Sequence, residues 1–336
     1  MSGRGGYLLR KIGWALVTVL VVVTFNFLLF RVLPGDPAKS GMRDPRLNPA
    51  AVETLRARFG LDKEVFLDLD GGGNPLDTQF TAYLGALSRG DLGTSYAFRD
   101  QEVADLIGQA LVNTLWLVLP SQLLAIVLGS ALGLFAAWRR GRPLDLAALT
   151  FSLFMWSLPT FFLGIILLVA GANWFGLPTS GRITIGGDFA SFWDLAWDVG
   201  RHLLLPTLTL TLVLLGEYML IMRSSVLDVF GEDYILTARA KGLSTYRIIR
   251  HHALRNAMLP MVTLIALNLG FTVSGAIQVE AVYSWPGLGA LTVSAVADRD
   301  YPVLQGAFLL IAVAVVVANL VAELIYGWLD PRVSEG

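Results

Sequence analysis

Residues able to do chemistry are sparse in this chain and poorly spaced for it. The 336 residues include no cysteine and three histidines, His202, His251 and His252. Disulfides, thiolate metal sites and cysteine nucleophiles are therefore excluded. His251 and His252 are neighbours, and adjacent side chains on a helix point in different directions, so no joint metal site is expected. No G-x-x-x-x-G-K-[ST] run occurs, so the chain has no P-loop cradle for a nucleotide. Asp68, Asp70 and Asn74 alternate oxygen ligands like the start of a calcium loop. The twelfth position, which should carry a bidentate glutamate, is Gln79, and a flexible turn is the better reading. What remains are polar side chains inside apolar runs: Glu217, Glu323, Asn268, Gln278 and Asn319. Charges in such runs are candidates for a solute pathway. Glu217 either lines the inner half of a pathway, where it would meet a cationic group, or snorkels to the interface. Asn268 faces the pathway or bonds between helices.

The elements that must hold these residues are set by composition. Hydrophobic residues make up 55% of the chain and charged residues 15%, with mean hydropathy +0.62. Soluble domains carry roughly 25% charged residues, so a water-soluble enzyme is excluded. A net charge of −1 gives nucleic acid nothing to bind by bulk electrostatics. The chain reads as an all-α integral membrane protein in contact with the bilayer. A helix needs about 20 apolar residues to cross, and six segments supply them: Ile12–Phe30, Leu111–Trp138, Leu144–Ala172, Leu203–Met222, Met258–Val279 and Val303–Leu329. The first is too long for a signal-peptide core and lacks a small-x-small cleavage site, so it reads as a retained span. Arg4, Arg10, Lys11, Arg139, Arg140, Arg142 and the basic residues from Arg223 to Arg255 lie in short segments on one side. The positive-inside rule makes that side cytoplasmic and places both termini there.

Three regions follow: residues 1–30 with the first span, an extracytoplasmic insert over 31–108, and a five-helix core over 109–336. Within the insert, Pro49–Phe59 reads as a short amphipathic helix. Gly129-x3-Gly133 reads as a helix-packing face. The core carries an inner loop, 223–258, much longer than a compact bundle requires. Asp228 to Lys241 is built from helix-tolerant residues, Gly242 breaks the run, and Ser244 can cap a second helix over Thr245–Ala257. Ile249, Ala253 and Ala257 form a narrow apolar stripe ringed by Arg247, Arg250, His251, His252 and Arg255. Such a pair either lies on anionic headgroups or docks into a groove on a cytoplasmic partner. The small residues of Thr237-Ala238-Arg239-Ala240-Lys241-Gly242, and the lack of Trp or Phe over Gly231–Ala257, favour docking.

At these residues a family resemblance emerges. Asp233-Tyr234-Ile235-Leu236-Thr237-Ala238-Arg239-Ala240-Lys241-Gly242-Leu243-Ser244, followed by His252-Ala253-Leu254-Arg255-Asn256-Ala257 and Pro260, resembles the coupling loop of ABC-importer permeases. The dipeptide/oligopeptide (nickel) permeases, first-permease type, are the most similar group. The general importer signature is Glu-Ala-Ala-x3-Gly-x9-Ile-x-Leu-Pro. Here Leu236-Thr237-Ala238 stands for its first three residues, Gly242 keeps the glycine, and His252-Ala253-Leu254-Arg255 replaces Ile-x-Leu-Pro. Pro34-Gly35-Asp36-Pro37, Gly90-Asp91-Leu92-Gly93-Thr94-Ser95 and Glu280-Ala281-Val282-Tyr283-Ser284-Trp285-Pro286-Gly287-Leu288-Gly289 extend the resemblance in order along the chain. The insert between Gly60-Leu61-Asp62 and Pro75-Leu76 is longer than usual for the family.

The resemblance implies a type I importer permease of six spans in a bacterial cytoplasmic membrane. It implies a second homologous permease, two cytoplasmic ATPase subunits or domains that hold the ATP and Mg, and an extracytoplasmic substrate-binding protein. The chain itself would have no catalytic residue and no cofactor. ATPase coupling would fall to Thr237, Ala238, Arg239, Ala240, Lys241, Gly242 and Leu243. A loop facing the binding protein would present Glu280, Tyr283, Trp285, Pro286 and Gly287, with Trp285 as its anchor or, on the blander view, at headgroup level. The resemblance makes peptides the expected substrate. A stand-alone secondary transporter or channel is the rival reading, and it would call for inverted repeats or broken helices with buried charge.

Overall fold

Pro143, Gly176 and Gly231 stand at helix ends, whereas Pro120, Pro206 and Pro260 are carried inside long helices. The computed structural model describes residues 4–32, 63–66, 77–98, 101–272 and 277–329. The expected helix at Pro49–Phe59, the Asp68–Asn74 loop and the Pro34–Pro37 run lie outside the described residues. The elements are α1 (Arg4–Val32), α2 (Gln79–Ser88), α3 (Val103–Trp138), α4 (Pro143–Ser157), α5 (Thr160–Phe175), α6 (Phe192–Phe230) and α7 (Asp233–Ala240). They continue with α8 (Thr245–Ile248), a π-helical turn (Ile249–Ala253), α9 (Leu254–Thr272), α10 (Ile277–Val282), α11 (Leu288–Asp298) and α12 (Tyr301–Leu329). Among the described residues the strand pairing is one isolated bridge, Thr94 with Glu102.

Among the described residues, four helices are long and apolar enough to cross a bilayer: Leu9–Phe30 within α1, then α3, α6 and Tyr301–Val321 within α12. The third expected span is not one straight helix. It divides into α4 and α5, bent by 103°, and the pair makes a fifth crossing if counted together. Pro159 is the cause: a proline disfavours the helical region for the residue before it, and Leu158 is extended at φ −72°, ψ 134°. The fifth expected span corresponds to α9 and α10, on either side of residues 273–276, which lie outside the described residues. At 39 residues, α6 is about 58 Å long, so it overshoots a hydrocarbon core of about 30 Å.

The chain divides into two compact units. The first comprises 1–11, 112–290 and 317–336. In it α6 is the central rod, packed by α4, α5 and α9. The helix-packing reading of Gly129-x3-Gly133 holds: a Cβ at Gly129 would stand 2.7 Å from the Tyr218 Cβ and 2.8 Å from the Leu215 carbonyl oxygen. Tyr218, Met222, Val226, Ala257 and Met261 close the core beside this contact.

The second unit comprises 12–111 and 291–316. Its centre is Phe27, fully buried, with ring centroids 5.1 Å from Phe80, 5.4 Å from Tyr83 and 5.8 Å from Phe66. Thr78 caps α2 by a reciprocal box with Thr81. Asp300 is buried and accepts from the Ser95 hydroxyl and from the backbone N–H groups of Tyr96 (3.2 Å) and Ala97 (3.1 Å). The Gly90–Ser95 run leads into this cage: Ser95 supplies its hydroxyl, and the next two residues supply the backbone donors, to a carboxylate just before α12.

Candidate functional site: the glycine-hinged platform and the polar centre of the bundle

The loop 223–258 folds as two short helices turned back on the end of α6. Ile235 and Ala238 of α7 meet Ile248 and Ala253, with Val229, Phe230 and Leu243 around them. Gly242 makes the reversal at φ +75°, a left-handed conformation that side chains resist. The apolar stripe Ile249, Ala253, Ala257 is spent on the chain's own core, since all three are buried. Ala238 is likewise internal at 5% exposure, so it supports the platform from below and has no surface for a partner. Thr237, Arg239, Ala240, Lys241 and Gly242 are exposed and Leu243 half-buried. The Arg239 guanidinium lies 5.7 Å from the Phe230 ring centroid, which steers it across the end of α6.

The Glu280–Gly289 motif departs most from expectation: the resemblance has it project with Trp285 as an anchor, and the blander reading sets Trp285 at headgroup level. Instead Glu280 and Trp285 are wholly buried, Tyr283 is 2% exposed and Gly287 is buried, leaving Pro286 at the surface. Backbone and side-chain bonds sew the segment onto its neighbours. Trp285 Nε1 donates to the Asn113 carbonyl at 2.9 Å, and Asn113 Nδ2 donates to the Pro286 carbonyl at 2.9 Å. Tyr283 donates to the Gly164 carbonyl at 2.9 Å. Thr114 Oγ1 donates to Glu280 Oε1 at 2.7 Å and accepts the Leu288 N–H at 2.8 Å; the Ala290 N–H meets Glu280 Oε2 at 2.9 Å. A Cβ at Gly289 would lie 2.8 Å from Glu280 Oε2. The glycines thus make room for a buried carboxylate. Buried polar groups in so closed a knot hold a loop in one shape.

Glu217 and Asn268, separated by 51 positions, do come together. Asn268 Nδ2 donates to Glu217 Oε2 at 3.1 Å and lies 3.1 Å from the Tyr218 hydroxyl. Gln122 Nε2 donates to that same hydroxyl. Tyr218 is wholly buried and Gln122 is 4% exposed, while Glu217 is half-buried. Gln278 and Asn319 are exposed and stand apart from this cluster; the Glu323 side chain lies outside the described residues.

Sequence reasoning missed Gln122 and Tyr218, which look like ordinary members of apolar runs. It also missed the bidentate pair of Arg223 with Asp145, Nε to Oδ1 at 2.7 Å and Nη2 to Oδ2 at 2.9 Å. The Gly141 N–H completes the Asp145 shell at 2.9 Å. The partners are 78 positions apart, and no local spacing signals them.

Comparison with known proteins agrees with this architecture. Residues 129–335 match the family described as binding-protein-dependent transport system inner membrane component. Residues 6–118 match the N-terminal domain described for the same systems. The glutathione transport system permease protein of Salmonella choleraesuis is 36% identical over 327 residues, covering 97% of this chain and 98% of that protein. The corresponding glutathione permease protein of Escherichia coli O6:H1 has the same identity and coverage. A di/tripeptide transport system permease protein of Pseudomonas aeruginosa is 34% identical over 345 residues, 97% of this chain and 98% of that protein. An all-helical chain with several membrane-crossing helices, matched from end to end, belongs to the binding-protein-dependent transport system inner membrane components, the permease subunits of ABC importers.

Proposed function

We propose that this chain forms half of the translocation pathway of an ATP-driven importer of di- and oligopeptides, and that its glycine-hinged platform is the handle through which a cytoplasmic ATPase moves it. The observation that carries the reading is the platform's construction. Its apolar side is consumed by the chain's own core, while Thr237, Arg239, Ala240, Lys241 and Gly242 stand exposed on short, small-residue elements. Polar side chains on such an edge contribute little affinity in water, about 0–1 kcal/mol for an exposed ion pair. Shape must therefore dominate docking, and small residues permit close approach.

In this reading the chain has six spans, with both termini and the loop 223–258 in the cytoplasm and the insert 31–108 outside. A second homologous permease completes the pathway. Two ATPase subunits or domains bind ATP and Mg, and a substrate-binding protein delivers cargo. The chain performs no chemistry itself. Rocking of the ATPase pair is transmitted through the platform to α6, whose half-buried Glu217, held by Asn268 and backed by the buried Tyr218 and Gln122, faces the pathway. The glutathione and di/tripeptide permeases among its relatives support peptides as cargo.

Ala240→Trp tests the coupling. Gly242 is the less informative position, because its positive φ means that any side chain strains the fold as well. In the purified complex reconstituted with ATPase and binding protein, A240W should lower substrate-stimulated ATP hydrolysis by about tenfold, the equivalent of roughly 1.4 kcal/mol of lost coupling. Wild-type stimulation in that variant would sink the assignment of the platform.

A further inference from the structure

Beside the platform, a cleft of about 520 Å³ is lined by Tyr234, His251, His252, Arg255, Asn256 and Leu259. Both ends of the inner-loop motif converge here, the Asp233-Tyr234 end and the Arg255-Asn256 end. Asn256 Nδ2 donates to the Tyr234 hydroxyl at 2.6 Å. That hydroxyl, having accepted, keeps its own proton to donate into the cleft. Adjacent residues on a regular α-helix point about 100° apart. The π turn Ile249–Ala253 lies under His251 and His252, and both imidazoles line this one cleft. Turns of this kind recur at functional sites. No Asp or Glu is among the lining residues, and Arg255 supplies a permanent positive charge. The lining thus offers a guanidinium charge and hydrogen-bonding side chains from several directions to a tetrahedral anion.

We propose that this cleft binds the phosphate of an anionic phospholipid headgroup. The chemistry of phosphate recognition would serve a free phosphate equally, but the far wall decides for lipid. Leu259, 45% exposed, lines the cleft where α9 passes into its apolar stretch, so an acyl chain can continue along the helix from a headgroup held above it. Basic pockets at the cytoplasmic ends of membrane helices bind lipid headgroups in this manner. The inference goes beyond the importer reading and concerns the chain alone.

Native mass spectrometry of the full chain, purified and stripped of lipid in detergent, tests it with phosphatidylglycerol and phosphatidylcholine of equal acyl length. Phosphatidylglycerol should bind about fivefold more tightly, the effect of one well-placed basic residue. Arg255→Gln should erase that preference and Arg255→Lys retain it. Equal binding of the two lipids, or an unchanged preference in R255Q, overturns the proposal. Displacement of phosphatidylglycerol by millimolar inorganic phosphate would give the cleft to the free anion and overturn the lipid source. Release of the lipid on adding the ATPase would assign the cleft to an acidic segment of that partner, and overturn it as well.

Discussion

At the scale of single residues, two buried carboxylates are held by different means, Glu280 by neutral donors and Asp145 by a guanidinium. Glu280 is enclosed by donors and by glycines that leave it space. Gly289→Ala should therefore destabilise the chain by about 1–3 kcal/mol, the usual cost of overpacking, measured as a lower midpoint of thermal unfolding in detergent. Asp145 is held by Arg223 in a bidentate pair whose side chains are 5% and 19% exposed. Removing one partner of such a pair leaves an uncompensated charge, so Arg223→Met should cost about 3 kcal/mol. The double variant Asp145→Asn/Arg223→Met should recover a large part of that loss, which denaturation of the four proteins of the cycle would read directly. Glu217 is different again, since it is half-buried and tethered by a single amide donor. If it meets the cargo's ammonium group, Glu217→Gln should lower uptake of peptides with a free amino terminus by about tenfold, as loss of a charged hydrogen bond does. Uptake of N-acetylated peptides should change little, and an equal fall for both would remove Glu217 from cargo recognition.

At the scale of elements, the molecule depends on close approach to α6. Lipid tails are as apolar as leucine, so helices in a bilayer associate through packing contacts and hydrogen bonds, not through hydrophobic burial. Gly129 and Gly133 of α3 let backbones meet at the positions of Tyr218 and Met222, and the same contact places Gln122 against the Tyr218 hydroxyl. Gly129→Leu should separate the two helices and break this bond with it. The expected result is protein that still inserts but unfolds at a temperature several degrees lower, about 2–4 °C for each kcal/mol lost. The hydropathy reading of Leu144–Ala172 as one span passed over the break at Pro159, and the angle of 103° has no sequence signal, because a proline marks where a helix can stop and leaves its new direction to packing.

At the scale of the whole molecule, the expected topology can be tested cleanly because the chain contains no cysteine. Single cysteines replace residues that are exposed, Tyr246 at 67% and Ile185 at 99%, without disturbing a core. In sealed, right-side-out vesicles, Ile185→Cys should react with an impermeant maleimide, whereas Tyr246→Cys should react only after the membrane is permeabilised. The opposite pattern would invert the proposed orientation and remove the platform from the ATPase side.

Membrane residence, most of the crossings and the glycine-hinged platform were determined by the amino-acid sequence alone, because hydropathy and a helix-breaking glycine act over a few neighbouring residues. The same locality let Gly129 and Gly133 be read as a packing face. Tertiary structure alone decided which side of each motif faces inward. Trp285 and Glu280 have the composition of an interface, yet Asn113 and Thr114, more than 160 positions away, draw them into the interior. Ala238 has the size of a contact residue and serves as a floor for Ile235 and Ile248. Glu217 with Asn268, and Asp145 with Arg223, are pairs made by folding between distant helices, and the cost of leaving a buried polar group unpaired fixes them only once those helices have met.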